Sequence, residues 1–283
     1  MIEVKDLKFT YRNGNEVLKG ISFDCEDDCV ISLLGPNGTG KTTFLKCLCG
    51  LQKPTEGSIK VNGKDVTTLK GKELAKEIGF VPQTTPVSNM SVFDAILVGR
   101  KPYIEWMARE EDIDKVADII ASLGMEKLAL RNLSEISGGE FQKVQIARAI
   151  VQEPSLIVLD EPTNNLDIAN QHRTMHMIMD VVRSRKVCTM MTMHDINLAV
   201  HYSDKFIFFK DGLVQAYGGP EVITADLIKS IYGFDVEVID HRGVPLVVPK
   251  ESAMYHVTSH HHPHDIHDHM HDHGLFENTE NVL

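Results

Sequence analysis

The run of hydrophobic and polar positions separates two kinds of strand from several amphipathic helices. Ile2 to Phe9 and Val17 to Phe23 alternate with a period of two around the turn signal Gly14-Asn15, which predicts a pair of antiparallel strands. Val30-Ile31-Ser32-Leu33-Leu34 and Ser155-Leu156-Ile157-Val158-Leu159 are nearly unbroken apolar runs, as is Val187 to Met193. The last two read as buried parallel strands, because a strand covered on both faces loses the alternation. Glu110 to Leu123 and Phe141 to Ile150 repeat apolar residues at helical spacing, and Ser91-Val92-Phe93-Asp94 can cap a helix, so residues 91 to about 133 read as a helical subdomain. Lys205 to Phe209 and Leu213 to Tyr217 flank the hairpin signal Lys210-Asp211-Gly212. Glu221 to Tyr232 reads as short helices, and Phe234 to Val248 as a closing hairpin around His241-Arg242-Gly243.

Chemistry sits where these runs end. Gly35-Pro36-Asn37-Gly38-Thr39-Gly40-Lys41-Thr42-Thr43 follows the first apolar run and fits G-x-x-x-x-G-K-[ST]. Glycines let backbone N–H groups close around a phosphate chain, Lys41 reaches the β- and γ-phosphates, and the Thr42 hydroxyl can sit on Mg²⁺. The helix opening near Lys41 points its positive end at the same anion. Asp160 and Glu161 close the second run, placing one carboxylate to hold Mg²⁺ and its neighbour to polarise an attacking water. His194 closes the third. Ile136-Ser137-Gly138-Gly139-Glu140 opens a helix and forms another anion site, although by itself it is an ordinary N-cap.

In this order the motifs resemble the nucleotide-binding subunit of an ABC transporter, over about residues 1 to 249. The resemblance implies an α/β fold: an ABC-type P-loop nucleotide-binding domain with a RecA-like core, an antiparallel β subdomain and a helical subdomain. It makes Tyr11 the aromatic that stacks on adenine and Gly35 to Thr42 the Walker A loop. Gln83, in Phe80-Val81-Pro82-Gln83, becomes the Q-loop glutamine that touches Mg²⁺ and the membrane partner. Ser137, Gly138 and Gly139 belong to the signature, Asp160 and Glu161 are the Walker B pair, Asn164-Asn165-Leu166-Asp167 is the D-loop, and His194 is the switch histidine. The implied catalytic set is Glu161, His194 and Lys41, with Mg²⁺ held by Thr42, Gln83 and Asp160. In the family, the signature of one subunit closes over ATP held by the other, which implies a head-to-tail homodimer with two sandwiched ATP molecules.

The signature departs from the family's LSGGQ at both ends, with Ile136 and Glu140. A carboxylate near a triphosphate is mildly unfavourable unless it faces Lys or Arg. Softer stretches, Val92 to Tyr103, Leu166 to Gln171 and Ile231 to Val238, look like the importer subfamily that handles iron-siderophore, haem and cobalamin complexes. That likeness implies a multi-helix permease, met through Thr84 to Tyr103, and an extracytoplasmic substrate-binding protein.

Composition narrows the classes. The chain has 283 residues, enough for one large α/β core, and no apolar run of the roughly 18–20 residues that a spanning helix needs. The opening Met1 to Asp6 reads directly as a strand rather than a signal peptide. Membrane association is then expected through a partner, at the cytoplasmic face. A net charge of −11 argues against nucleic acid as partner. Cys25, Cys29, Cys47, Cys49 and Cys188 read as reduced thiols, with a zinc site on Cys25-x-x-x-Cys29 as the alternative.

Residues 250 to 283 change character. His256, His260, His261, His262, His264, His267, His269, His271 and His273 are interleaved with Asp265, Asp268 and Asp272. Such a segment is too polar to build a core and has the ligand chemistry of zinc, nickel, copper or cobalt. An expression tag or a solvated tail would share part of this composition. Two other readings of the whole chain stay open at this level, a soluble non-transport ABC ATPase and a metal-delivery GTPase, but no guanine-recognising N-K-x-D occurs.

Overall fold

A computed structural model describes residues 2–25, 29–164 and 166–250. The histidine-rich segment from residue 251 onward, and Asn165 of the D-loop run, lie outside the described residues.

The chain opens with β1 (Ile2–Thr10) and β2 (Glu16–Cys25), then β3 (Val30–Leu34) leads into α1 (Lys41–Leu48). β4 (Glu56–Val61), β5 (Lys64–Asp65), α2 (Lys72–Glu77) and β6 (Ile78–Val81) follow. A helical stretch holds α3 (Val92–Leu97), α4 (Glu110–Ser122) and α5 (Gly138–Ile150). The chain then runs through β7 (Leu156–Leu159), α6 (Ile168–Ser184), β8 (Cys188–Thr192), α7 (Ile196–Tyr202), β9 (Lys205–Lys210) and β10 (Leu213–Gly218). It closes with α8 (Ala225–Tyr232) and the hairpin β11 (Val236–His241) and β12 (Val244–Pro249).

A six-stranded sheet with order β10-β9-β3-β8-β7-β6 forms the centre. Its neighbours from β9 to β6 are parallel, and β10 joins antiparallel at the edge. The sheet explains the unbroken apolar runs. Successive residues face opposite layers and both are buried: Ile31 and Leu33, Leu156 and Val158, Ile207 and Phe209 pack toward the antiparallel sheet, whereas Leu34, Ile157, Leu159, Phe206 and Phe208 pack toward the helices. Phe44 of α1 is fully buried between Phe23 and Phe209, at ring-centroid separations of 5.7 and 5.5 Å. Truncating such a side chain to alanine costs about 3–5 kcal/mol.

The antiparallel sheet is larger than the alternation predicts, with order β2-β1-β4-β5. β4 escapes the sequence pattern because it opens on the polar Glu56-Gly57-Ser58, and Gly57 has φ +82° where an added Cβ would stand 2.3 Å from Asp6 O. Its place is set by close approach to β1. In the helical stretch, buried Arg100 donates from Nε to Asp112 Oδ1 and from Nη1 to Val151 O and Glu153 Oε2, each at 2.9 Å. One guanidinium thereby ties the segment after α3 to the start of α4 and the end of α5, and desolvation is offset by two carboxylates.

Candidate active site

Four strands of the parallel sheet end side by side, and each delivers one functional segment: β3 the glycine loop, β6 Gln83, β7 Asp160 and Glu161, and β8 His194. The C-terminal edge of a parallel sheet is where open α/β folds bind ligands. Gly35 turns the chain off β3 with φ +142°, and a Cβ there would lie 2.2 Å from Phe209 O. Gly40 is the N-cap of α1 with φ +105°.

Lys41 is buried and donates from Nζ to Gly35 O at 2.7 Å and Pro36 O at 2.9 Å, while Thr39 Oγ1 donates to the same Pro36 carbonyl. Burial pulls its ammonium below the ordinary lysine range, and Glu161 and Asp160 pull the other way. Asp160, 6% exposed, accepts from Thr192 Oγ1 at 2.8 Å and stands 3.5 Å from Thr42 Oγ1. Burial holds its carboxyl above the usual range, partly offset by the Thr192 hydrogen bond.

Glu161 is the hub. His194 Nε2 lies 2.6 Å from one carboxylate oxygen, and the other accepts from Gln83 Nε2 at 2.5 Å and Asn164 Nδ2 at 3.0 Å. Its backbone is in the left-handed region at φ +52°, and its N–H donates to Thr192 Oγ1 at 2.7 Å. Thr192 thus locks both acids at once. Thr192 is not among the functional residues read from the sequence, and Asn164 enters there only as part of the D-loop run, although a threonine inside the apolar β8 run, two residues before His194, is a signal.

A cleft of about 350 Å³ is lined by Tyr11, Asn37, Gly38, Lys41, Thr42 and Glu161, and also by Gly40 and Thr43. Tyr11 lies edge-on to Phe9 and its hydroxyl is 3.2 Å from Thr43 Oγ1. The donors around Asp160 are hydroxyl, amide and carboxylate oxygens, the hard set that Mg²⁺ takes, so Thr42, Gln83 and Asp160 fit that ion. Bound there, Mg²⁺ would offset negative charge on the transferred phosphate.

Ser137, Gly138 and Gly139 do not line this cleft among the described residues. Gly138 instead borders a second cleft with Gln83, Gln145, Asp160 and Glu161. Ser137 is the N-cap of α5 in a reciprocal capping box: Glu140 N donates to Ser137 Oγ, while Glu140 Oε2 accepts from Ser137 N and Oγ, both at 2.8 Å. Hydrogen bonds from the Ser137 N–H and hydroxyl hold the Glu140 carboxyl below its usual range, with Arg131 and Lys143 adding to the effect. The carboxylate is thereby committed to fixing Ser137 at the helix start. Asp167 caps α6, accepting from Asn170 N at 2.8 Å and Nδ2 at 2.7 Å. The histidines from His256 to His273 lie outside the described residues.

A phosphate loop, a paired-acid strand end and a histidine converging on one sheet edge define a P-loop ATPase. The ABC transporter family pattern matches residues 18–164, and the chain belongs to that family and is an ATP-hydrolysing cassette. It is 46% identical over 88% of its length to an uncharacterized ABC transporter ATP-binding protein of Methanocaldococcus jannaschii, covering 98% of that protein. It is 37% identical to the phosphonates import ATP-binding protein of Nitratidesulfovibrio vulgaris (81% and 91% covered). Identity is 35% to the "probable iron chelatin transport ATP-binding protein" of Helicobacter pylori strain 26695 (85% and 96% covered). Among solved structures, an inward-facing metal-chelate type ABC transporter superposes with a TM-score of 0.76 at 28% identity, over 89% of this chain and 98% of that one. Among the described residues, no helix is long and apolar enough to cross a membrane.

Proposed function

We propose that this chain is the motor subunit of an ABC importer for an iron-chelate type cargo, working as a head-to-tail homodimer on the cytoplasmic side of a membrane permease. The observation that carries the dimer is the separation of the two anion-binding elements. Ser137 to Gly139 open α5 and are not among the residues lining the cleft around Lys41 and Thr42, so a second chain's signature is the natural lid over each ATP. In this reading Lys41 and the glycine-loop N–H groups grip the phosphates, Glu161 orients or deprotonates the attacking water, and His194 and Gln83 sense the γ-phosphate through that carboxylate. Hydrolysis removes the bridging phosphate and lets the dimer open.

Cargo class rests on the Val92 to Tyr103 and Ile231 to Val238 stretches, on the iron chelatin relative and on the metal-chelate transporter structure; the phosphonates relative supplies the competing cargo. The permease surface is assigned to Thr84 to Tyr103 and its continuation, where Val87, Trp106 and Met107 are exposed. The external binding protein follows from the importer assignment. The histidine-rich segment is assigned, on sequence alone, to holding a transition metal related to the cargo, and equal metal retention by a tail-deleted chain in equilibrium dialysis removes that assignment.

The test is copurification from mild-detergent membranes, followed by ATPase assays of the recovered complex with its binding protein. A permease whose complex is stimulated by an iron chelate supports the proposal. Stimulation by a phosphonate replaces the cargo, and recovery of soluble partners alone overturns the importer reading.

A further inference from the structure

The opposite, N-terminal edge of the central sheet carries a cluster that ATP hydrolysis does not use. Cys25 ends β2, Cys29 immediately precedes β3, and Cys188 opens β8. Their exposures are 1%, 9% and 5%. Register places them together: Thr189 N donates to Cys29 O at 3.0 Å, and Val30 pairs with Thr189. The three sulfurs lie within 4.8 Å of one another, and Cys25 Sγ to Cys29 Sγ is 3.0 Å. That is far beyond an S–S bond of about 2.05 Å.

We propose that Cys25, Cys29 and Cys188 form a buried three-sulfur site for a thiophilic divalent ion of the zinc class. Around zinc, with Zn–S near 2.3 Å, tetrahedral sulfurs stand about 3.8 Å apart, so each sulfur needs to move by less than about 1 Å from its present place. Binding replaces three S–H bonds by three metal–sulfur bonds and releases three protons. Three thiolates on a divalent ion leave one net negative charge. The Lys205 ammonium, 5.6 Å from the centre of the Tyr217 ring, is a positive charge in the neighbourhood of the cluster.

Tyr217 lies beside Cys25, its hydroxyl buried without a partner of ordinary hydrogen-bond geometry. Burial first, then the neighbouring thiol, push that phenol up. Cys47 and Cys49, both in or just after α1, are the contrast: burial alone or chiefly raises them, and they are not part of the cluster. An ion at the three sulfurs would clamp β2 of the antiparallel sheet to β3 and β8 of the catalytic sheet, at the end remote from the nucleotide.

The experiment titrates the full chain, reduced with a phosphine, using Cd²⁺ as the probe. Ultraviolet thiolate-to-cadmium absorption is read, a band that histidine ligands do not give. The expected result is a thiolate band that saturates at the intensity of one sulfur-bound cadmium per chain, with Cys25, Cys29 and Cys188 protected from alkylation by peptide mass spectrometry and Cys47 and Cys49 unaffected. Cys188→Ser should weaken cadmium retention by more than the roughly 10–100-fold that losing an outer-shell partner costs. No thiolate band in the wild-type chain, or protection confined to Cys47 and Cys49, overturns the proposal. So does an unchanged band in both Cys188→Ser and Cys25→Ser. If either variant fails to fold, the wild-type protection pattern decides.

Discussion

The two edges of the central sheet are built by the same strands and carry opposite chemistry. At the C-terminal edge, β3, β6, β7 and β8 release their chains into loops that present oxygen and nitrogen groups, with Lys41 and Asp160 buried and His194 and Gln83 reaching solvent. At the N-terminal edge, the same β3 and β8 meet the end of β2 over three enclosed sulfurs. One edge is hard, open and charged, suited to Mg²⁺ and phosphate; the other is soft and closed. The contrast follows from connectivity. A parallel strand leads at its C-terminal end into a helix whose N–H groups turn toward that edge, so anions are welcome there. At its N-terminal end, the incoming chain from β2 can pack against the sheet and bury side chains instead.

The largest expected break in this contrast is Glu161→Gln. It keeps the hydrogen-bonding shape but removes the charge that Gln83, Asn164 and His194 converge on, and turnover should fall by about 10²–10⁴-fold. Size-exclusion chromatography should then show an ATP-dependent dimer. Unchanged turnover would remove Glu161 from its assigned role.

Next in size is the response to zinc. At free zinc about 100-fold above the dissociation constant, linkage supplies about 2.7 kcal/mol, which corresponds to a rise in Tm of about 5–10 °C for a chain of this size. Cys188→Ser should not show it. A smaller gain is expected from Asp160→Asn. Burial raises the Asp160 pKa in the folded state, so its contribution to stability is fully present below the unfolded pKa and is lost as pH rises through the folded one. At neutral pH the ionised carboxylate is therefore a liability, and the amide should raise Tm at neutral pH while Mg²⁺-dependent hydrolysis is lost. A Tm gain as large at low pH as at neutral pH would contradict that sign. Smallest is Glu140→Gln, which retains the capping box on Ser137; ATPase activity should stay within about twofold.

The sheet edge that binds nucleotide was largely legible in the sequence, and the sulfur edge was not. The glycine loop, the paired acids and His194 each follow an apolar run directly, so a local pattern locates both the strand and the group at its end. Thr192 shows the limit of that method. Its hydroxyl joins Asp160 to the Glu161 backbone, a contact between neighbouring strands 32 residues apart that composition does not announce. β4 likewise reads as polar, because Gly57 is required by the approach of β1 rather than by its own neighbours.

By itself the sequence determined the class of chemistry, since phosphate recognition needs closely spaced glycines and a lysine, and their short-range order is enough to specify the loop. It also determined that the central strands are buried on both faces, through apolar runs without alternation. Only the tertiary structure decided which distant groups meet. Parallel strand order β3-β8-β7-β6 brings His194, Glu161 and Gln83 into contact, and the register of β3 against β8 carries Cys188 to Cys25 and Cys29 across about 160 residues of chain. Strand order and register are settled by packing two layers against one sheet, a balance summed over the whole core that no local pattern records.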